Sequence, residues 1–336
     1  MNPFIPERIF YEAHSKNYPL GKELLEYYSS LSIPMEVIEN HNNIEALRTQ
    51  PNENFTKLKR YLIIGTRKTH KYTENHKVSD YLVPFTSSGC SAMCLYCYLV
   101  CHYNKCSYLR IFVNREEMLQ KLIKKASSFD EEKVFEIGSN SDLVLENTIT
   151  NNLVWTITEF LKQPKGILTF PTKFDMIDCL LPLQHQNRVI IRYSVNPSNI
   201  IQKTELKTSN LEERIAAINK LCNVGYSVGI IIAPIILVDD WEKLYDDLLQ
   251  QLVSLLSPTA KKSIFFEAIF MTYSYVHQKI NEAAFPNALQ IYSKDQMIGR
   301  GNGKYRYKDP IRVKAEQFIE ERIKYYFPNN TILYIA

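Results

Sequence analysis

The chain has 336 residues, 45% apolar and 23% charged, an ordinary composition for a soluble globular protein that can bury one large α/β core or two smaller ones. Lys and Arg number 40 against 36 Asp and Glu, a mild basic excess that permits a nucleic-acid or phosphate partner without demanding one. The opening MNPFIPERIFYE lacks an apolar signal core, and the longest apolar run, VGIIIAPIILV, is too short for a bilayer and broken by Pro234, so a cytoplasmic protein with no membrane partner is expected.

No internal repeat or low-complexity tract interrupts the chain. Residues 1–80 mix helix-like stretches such as LGKELLEYYSSL with a basic segment, KLKRYLIIGTRKTHKY, and are expected to form an N-terminal extension; the basic segment is a candidate for phosphate contacts. From there short β-rich runs alternate with amphipathic helical ones. The runs are YLVPF (81–85), KVFEI (133–137), GILTF (166–170), RVIIRYSV (188–195), YSVGIIIA (226–233) and SIFFEAIF (263–270). A further strand, LRIFVN, interrupts the first crossover. The helical stretch NLEERIAAINKLCNVG carries its own punctuation, with Asn210 as N-cap and Gly225 just past the end.

Six strands separated by helices imply a parallel sheet, either doubly wound or closed into a partial (β/α) barrel. Polar residues cluster just past the strand ends: Ser139, Asn140, Ser141 and Asp142, then Thr172 and Lys173, then Ser194 and Asn196. Any one of them caps a helix as readily as it lines a site. Several strand ends behaving alike favour a shared mouth, as in a barrel. The expected layout is an extension over 1–80, a partial (β/α)6 core over 81–275, and a C-terminal segment over 276–336 with a hairpin and a closing helix.

The chemistry concentrates in SGCSAMCLYCYLVCHYNKCSY, which holds five of the seven cysteines. In a reducing compartment such clustering marks a metal or redox site in preference to a disulfide framework. Cys90, Cys94 and Cys97 follow a C-x3-C-x2-C spacing. Three thiolates suit a [4Fe–4S] cluster whose fourth iron stays open for the amino and carboxylate groups of S-adenosylmethionine. Tyr96, just before the third cysteine, fits the adenine side. Zinc is the competing reading, with Cys101 or Cys106 completing a four-thiolate set, although zinc sites more often use two widely separated C-x-x-C pairs. Cys179 and Cys222, on stretches read as helical, are expected to be buried hydrophobes.

The ordered set GCSAMCLYCYL, LRIFVN, FEIGSNSD, TKFD, RYSVNP and GIIIAPI resembles the spore photoproduct lyase family, radical S-adenosylmethionine enzymes of DNA repair. PFIPERIFYE, YPLGKELLEYY and AEQFIEERIKYYFPN extend the likeness over nearly the whole chain. IGSNSD stands where the wider superfamily has Gly-Gly-Glu, as in this family. The resemblance implies a partial (β/α)6 radical barrel in which Cys90, Cys94 and Cys97 bind the cluster. It implies that Tyr96, Tyr98, Ser141, Lys173, Ser194, Asn196 and Ala233 bind S-adenosylmethionine, with Lys173 pairing with its carboxylate. It further implies UV-damaged double-stranded DNA as partner, an electron donor such as flavodoxin or ferredoxin, and a spore-core location. The lesion is a methylene-bridged thymine dimer; a radical removes the hydrogen at C6, the bridge breaks, and the thymine radical regains a hydrogen. Such a dimer must first be flipped out of the duplex.

Two features depart from the family. Ser139 occupies the position of the family's cysteine hydrogen donor, so Tyr98 is the expected donor, with Tyr96 beside it and Cys101 as runner-up. In GRGNGKYRYK, expected as a tight DNA-contacting hairpin through Arg300, Lys304 and Tyr305, Gly301 follows the arginine where the family places an aromatic. The other readings are a radical enzyme acting on RNA or a peptide, and a non-catalytic zinc-binding nucleic-acid module.

Overall fold

The computed structural model describes residues 4–101 and 108–336, so Cys106 and any role for it lie outside the described residues. The chain divides into two compact units: one drawn from Met1–Met93, Leu99–Phe170 and Asp178–Val189, the other from Cys94–Tyr98, Pro171–Ile177 and Ile190–Ala336.

The first unit includes the strands β1 (Arg8–Glu12), β2 (Met35–Ile38), β3 (Tyr61–Gly65), β4 (Tyr81–Leu82), β5 (Ser87–Ser88), β6 (Leu109–Phe112), β7 (Val134–Glu136) and β8 (Ile167–Thr172), the last two residues of β8 counting with the other unit. The helices are α1 (Pro19–Ser30), α2 (Arg115–Ser127), α3 (Leu143–Thr150) and α4 (Asn152–Phe160). One sheet runs β2-β1-β3-β6-β5, parallel except for β5. Strand alternation sends Ile9, Tyr11, Leu62, Ile64, Leu109 and Ile111 towards Leu20, Leu24 and Tyr28 of α1. Phe10 and Ile63 face the other way, onto Ile44, Leu47 and Leu58.

This sheet corrects the reading of the N-terminal region in two places. The basic segment contains β3, a central strand buried on both faces and therefore continuously apolar instead of alternating. The cations beside it are partly internal: Lys59 is 1% exposed, and Arg67 lies over the Phe112 ring and donates to the Phe85 carbonyl. LRIFVN is likewise no mere interruption, because β6 pairs with β3. Next to this sheet in sequence, β4 and β8 both pair in parallel with β7.

The second unit holds β9 (Val189–Val195), β10 (Ser227–Ile235), β11 (Phe265–Phe270), β12 (Tyr273–Ser274), β13 (Met297–Gly301), β14 (Lys304–Tyr307) and β15 (Ile332–Ile335), with α5 (Leu211–Asn223), α6 (Trp241–Leu255), α7 (Tyr275–Ala284) and α8 (Asp309–Tyr326). The order β9-β10-β11-β15 is parallel throughout, and β15 is a strand the sequence reading missed. Along β9 the residues Ile191, Tyr193 and Val195 are fully buried on one face, which turns Arg192 and Ser194 to the other.

Helix α5 is punctuated as expected. Asn210 and Glu213 form a reciprocal capping box, and Gly225, with φ of +88°, closes the helix as the Tyr226 N–H reaches back to the Leu221 carbonyl at 3.1 Å. Cys222 is buried on α5 as expected. Cys179 is not: it sits on a short 3₁₀ turn, Asp178–Leu180, and is exposed, with Asn147 donating to its sulfur at 3.3 Å. A three-residue turn has too little apolar periodicity to bury a chosen side chain. Among the described residues no helix is long and apolar enough to cross a membrane.

Candidate active site

Cys90 belongs to the first unit. It follows β5 through Gly89, whose φ of +76° turns the chain, and whose N–H and carbonyl are held by the Asn140 carbonyl and the Ser141 hydroxyl, each at 2.8 Å. Ser141, expected to contact a cofactor, thus also fixes the residue before the first cysteine. Ala92 donates its N–H to the Cys90 sulfur at 3.3 Å, a contact that suits a thiolate. Cys94 to Tyr98 belong to the second unit, where the Leu95 N–H donates to the Thr204 carbonyl at 2.9 Å and the Cys97 N–H to the Cys94 carbonyl at 3.1 Å.

Cys90, Cys94, Cys97 and Cys101 are in no disulfide and are partly exposed. Among the described residues no three His, Cys, Asp or Glu side chains gather as the ligands of a single ion would. A cluster asks less of its loop, because each thiolate takes a different iron. Partly exposed thiols, one of them accepting an N–H, fit that demand.

The second unit gathers a set of polar side chains around Glu205, a residue the sequence reading did not single out. Its carboxylate is buried, 2% exposed. One oxygen, Oε1, accepts from the Tyr96 hydroxyl, from Asn196 Nδ2 at 3.0 Å and from Lys173 Nζ at 3.3 Å. The other, Oε2, accepts from Arg214 at 2.6 Å. Burial alone would raise its pKa, but the Lys173 and Arg214 cations and the Tyr96 and Asn196 hydrogen bonds outweigh that and hold it at about 2. Burial and the neighbouring Glu205 charge push Tyr96 well above the ordinary tyrosine range.

The remaining expected residues of this unit attach to the same group. Lys173 Nζ also donates to Ser194 Oγ and, at 3.1 Å, to the Ala233 carbonyl, which accepts from Ser194 Oγ at 2.7 Å. Lys173 lies over the Tyr96 ring at 5.7 Å. Tyr245 donates to Asn196 Oδ1 at 3.1 Å, and Arg214 donates to the Ser194 carbonyl at 2.8 Å. Tyr96, Lys173, Ser194, Asn196 and Ala233 are therefore one connected set. Lys173 and Arg214 both pair with the Glu205 carboxylate.

Arg214 had a sequence signal. It falls on the apolar stripe of α5 with Leu211, Ile215, Ile218 and Leu221, where an unpaired charge is not tolerated. Glu205 had none.

Helix α7 supplies two further residues absent from the sequence reading. His277 bonds through Nε2 to the Cys97 carbonyl at 3.0 Å, and Asn281 donates to the Leu95 carbonyl at 2.8 Å. Burial lowers the His277 pKa to about 4, although the Cys97 carbonyl favours its protonation.

The hairpin is present. β13 and β14 join through Asn302 and Gly303, with φ of +51° and +66°, the paired positive values of a type I′ turn. Arg300 falls in a register shift between Gly299 and Gly301 and is exposed, as is Lys304, while Tyr305 is half-buried. Of the residues weighed for hydrogen return, Ser139 is half-buried and belongs to the first unit, and Tyr98 is 49% exposed and belongs to the second.

The spore photoproduct lyase family model matches residues 4–336. The spore photoproduct lyase of Bacillus subtilis (strain 168) is 32% identical over 100% of this chain and 99% of its own length. That of Geobacillus sp. (strain Y412MC61) is 30% identical over 100% of both. A solved spore photoproduct lyase complexed with dinucleoside spore photoproduct, 28% identical, superposes with a TM-score of 0.92 over 100% of both chains. A mutant with bound AdoMet and dinucleoside spore photoproduct matches equally well. The fold is thus the expected partial (β/α)6 barrel with an N-terminal extension and C-terminal hairpin and helix. Family match, whole-length identity and superposition agree: the chain belongs to the spore photoproduct lyase family.

Proposed function

We propose that this chain reverts the spore photoproduct in damaged DNA to two thymines. The observation that carries the reading is the buried Glu205 group. It sets the Lys173 cation beside the Ser194, Asn196 and Ala233 polar atoms, a setting that suits an anionic group such as the carboxylate of S-adenosylmethionine. Cys90, Cys94 and Cys97 would hold the cluster. When bound, the cluster and S-adenosylmethionine supply a 5′-deoxyadenosyl radical, given an electron from a donor of the flavodoxin or ferredoxin kind.

The chain's own residues bind and orient. Lys173 takes the carboxylate, Tyr96 lies on the adenine side with its hydroxyl tied to Glu205, and Ser141, Ser194 and Asn196 offer hydrogen bonds to the remaining polar groups. Arg300, Lys304 and Tyr305 meet the DNA at the hairpin. Hydrogen return falls to Tyr98, with Cys101 next in line, because the O–H bond of Ser139 is stronger than the C–H bond the thymine radical forms. Reduced protein with S-adenosylmethionine and UV-irradiated spore-type DNA is expected to release thymine. Iron–sulfur absorbance without any thymine formed would refute the assignment and leave the radical chemistry to another substrate.

A further inference from the structure

The hairpin and the cysteine turn are joined by one short helix, and every residue of that connection lies in the second unit. α7 starts at β12, which pairs with the hairpin: Tyr273 is opposite Tyr305 and Ser274 opposite Lys304. At the hairpin turn itself, the Tyr275 N–H donates to the Gly303 carbonyl at 2.8 Å. Ser274 caps the helix, its hydroxyl accepting the His277 N–H at 3.3 Å and lying 3.0 Å from His277 Nδ1.

Chemistry settles the tautomer. A carbonyl only accepts, so the 3.0 Å contact to Cys97 requires the proton on Nε2 of His277, and Nδ1 of the neutral ring then accepts from the Ser274 hydroxyl. One turn later on the same face, Asn281 Nδ2 donates to the Leu95 carbonyl at 2.8 Å and lies 3.1 Å from the Tyr273 hydroxyl. The Tyr273 ring stacks on His277 with centroids 5.2 Å apart and planes inclined by 22°.

We propose that His277 and Asn281 are positioning residues that fix the cysteine turn by its Leu95 and Cys97 carbonyls and couple it to the hairpin. Holding those two carbonyls fixes the Leu95–Tyr96 and Cys97–Tyr98 peptide planes, which bracket the Tyr96–Cys97 pair, and with them the directions in which Cys97 and the flanking tyrosines project. The links from turn to turn are the Gly303–Tyr275 bond, the Ser274–His277 pair and the His277–Cys97 bond. A load on the hairpin therefore reaches the cysteine turn through these three contacts, the middle one being the helix cap. The coupling, though not the positioning, rests on the reading of the hairpin as the DNA-contacting element.

The test uses reconstituted, cluster-loaded protein and a duplex oligonucleotide carrying one spore photoproduct. His277→Phe keeps a stacked ring and removes the donor, His277→Gln restores a donor, and Asn281→Leu removes the second link. In His277→Phe and Asn281→Leu the amides of residues 95–98 are expected to exchange about fivefold faster, the effect of one hydrogen bond of ordinary strength. Iron content should equal wild type while the electron paramagnetic resonance spectrum of the reduced cluster shifts, and His277→Gln should return both signals towards wild type. Adding the oligonucleotide should slow exchange at residues 95–98 in wild type and fail to do so in His277→Phe, with DNA affinity unchanged. A wild-type spectrum and wild-type exchange in Asn281→Leu and His277→Phe overturn the positioning role. If His277→Phe does not fold, Asn281→Leu alone decides by the same two readouts. Altered spectra together with equal oligonucleotide protection in wild type and variant overturn the coupling. Unchanged affinity in an Arg300→Ala, Lys304→Ala double variant overturns instead the hairpin reading on which the coupling rests.

Discussion

Replacing Glu205 by Gln tests the charge balance on which the site depends. The amide keeps the shape of the carboxylate but presents an NH₂ group on one side. Whichever way it is placed, that NH₂ faces a donor, either Arg214 or the trio of Tyr96, Lys173 and Asn196. Arg214 is fully buried and loses the carboxylate it pairs with at 2.6 Å. Removing one member of a buried ion pair costs about 3–5 kcal/mol. With an unfolding entropy of about 2.1 cal/mol/K per residue, that lowers the melting temperature by about 4–7 °C. Differential scanning calorimetry at neutral pH reads it directly. Lys173→Met should partly rescue Glu205→Gln by removing a cation that has lost its counter-charge, whereas in the wild-type background it has no such benefit. The difference between wild type and Glu205→Gln also has a pH signature. A carboxyl held at about 2 when folded and near 4.5 when unfolded contributes its stability above pH 4.5 and loses it as pH falls towards 2. Melting of Glu205→Gln at the wild-type temperature, or an identical effect of Lys173→Met in both backgrounds, would mean that Glu205 is not the counter-charge of this group.

Cys90→Ala, Cys94→Ala and Cys97→Ala are each expected to lose the cluster, and Cys179→Ala and Cys222→Ala to keep it; iron analysis after anaerobic reconstitution checks this, and full iron in any of the first three contradicts the ligand set. Ser139→Ala should retain most thymine formation, while Tyr98→Phe should still cleave S-adenosylmethionine and attack the lesion but give trapped adducts; loss of thymine in Ser139→Ala alone, with Tyr98→Phe and Cys101→Ala active, reverses the assignment. Arg300→Ala with Lys304→Ala should weaken DNA binding and flatten its dependence on salt, because fewer counterions are released; an unchanged slope in a titration series excludes both from the phosphates. Glu12 is held at about 2: burial raises it, but the His41 and Thr66 hydrogen bonds prevail, so Glu12→Gln should destabilise the fold above pH 4.5 and progressively less as pH falls towards 2, read by urea unfolding across pH.

Much of this protein is legible from local pattern. The cysteine spacing, the Asn210–Glu213 capping box, the Gly225 stop and the Asn302–Gly303 turn each depend on residues a few positions apart, so the sequence displays them whole. In RVIIRYSV the apolar Ile191, Tyr193 and Val195 alternate with the polar Arg192 and Ser194, so the sequence shows two distinct faces although the fold buries both. β3 escaped because both of its covered faces are apolar and show no alternation, and its four apolar residues lie between Lys and Arg clusters that dominate any window. Cys179 escaped because a 3₁₀ turn has no stripe to reveal which side faces in. What only the tertiary structure decided is the assembly around Glu205. Its partners Tyr96, Lys173, Asn196 and Arg214 lie 109, 32, 9 and 9 residues away along the chain. A glutamate in KTEL looks like any solvated charge until the fold removes its water, and only then do the cations beside it determine whether it stays ionised.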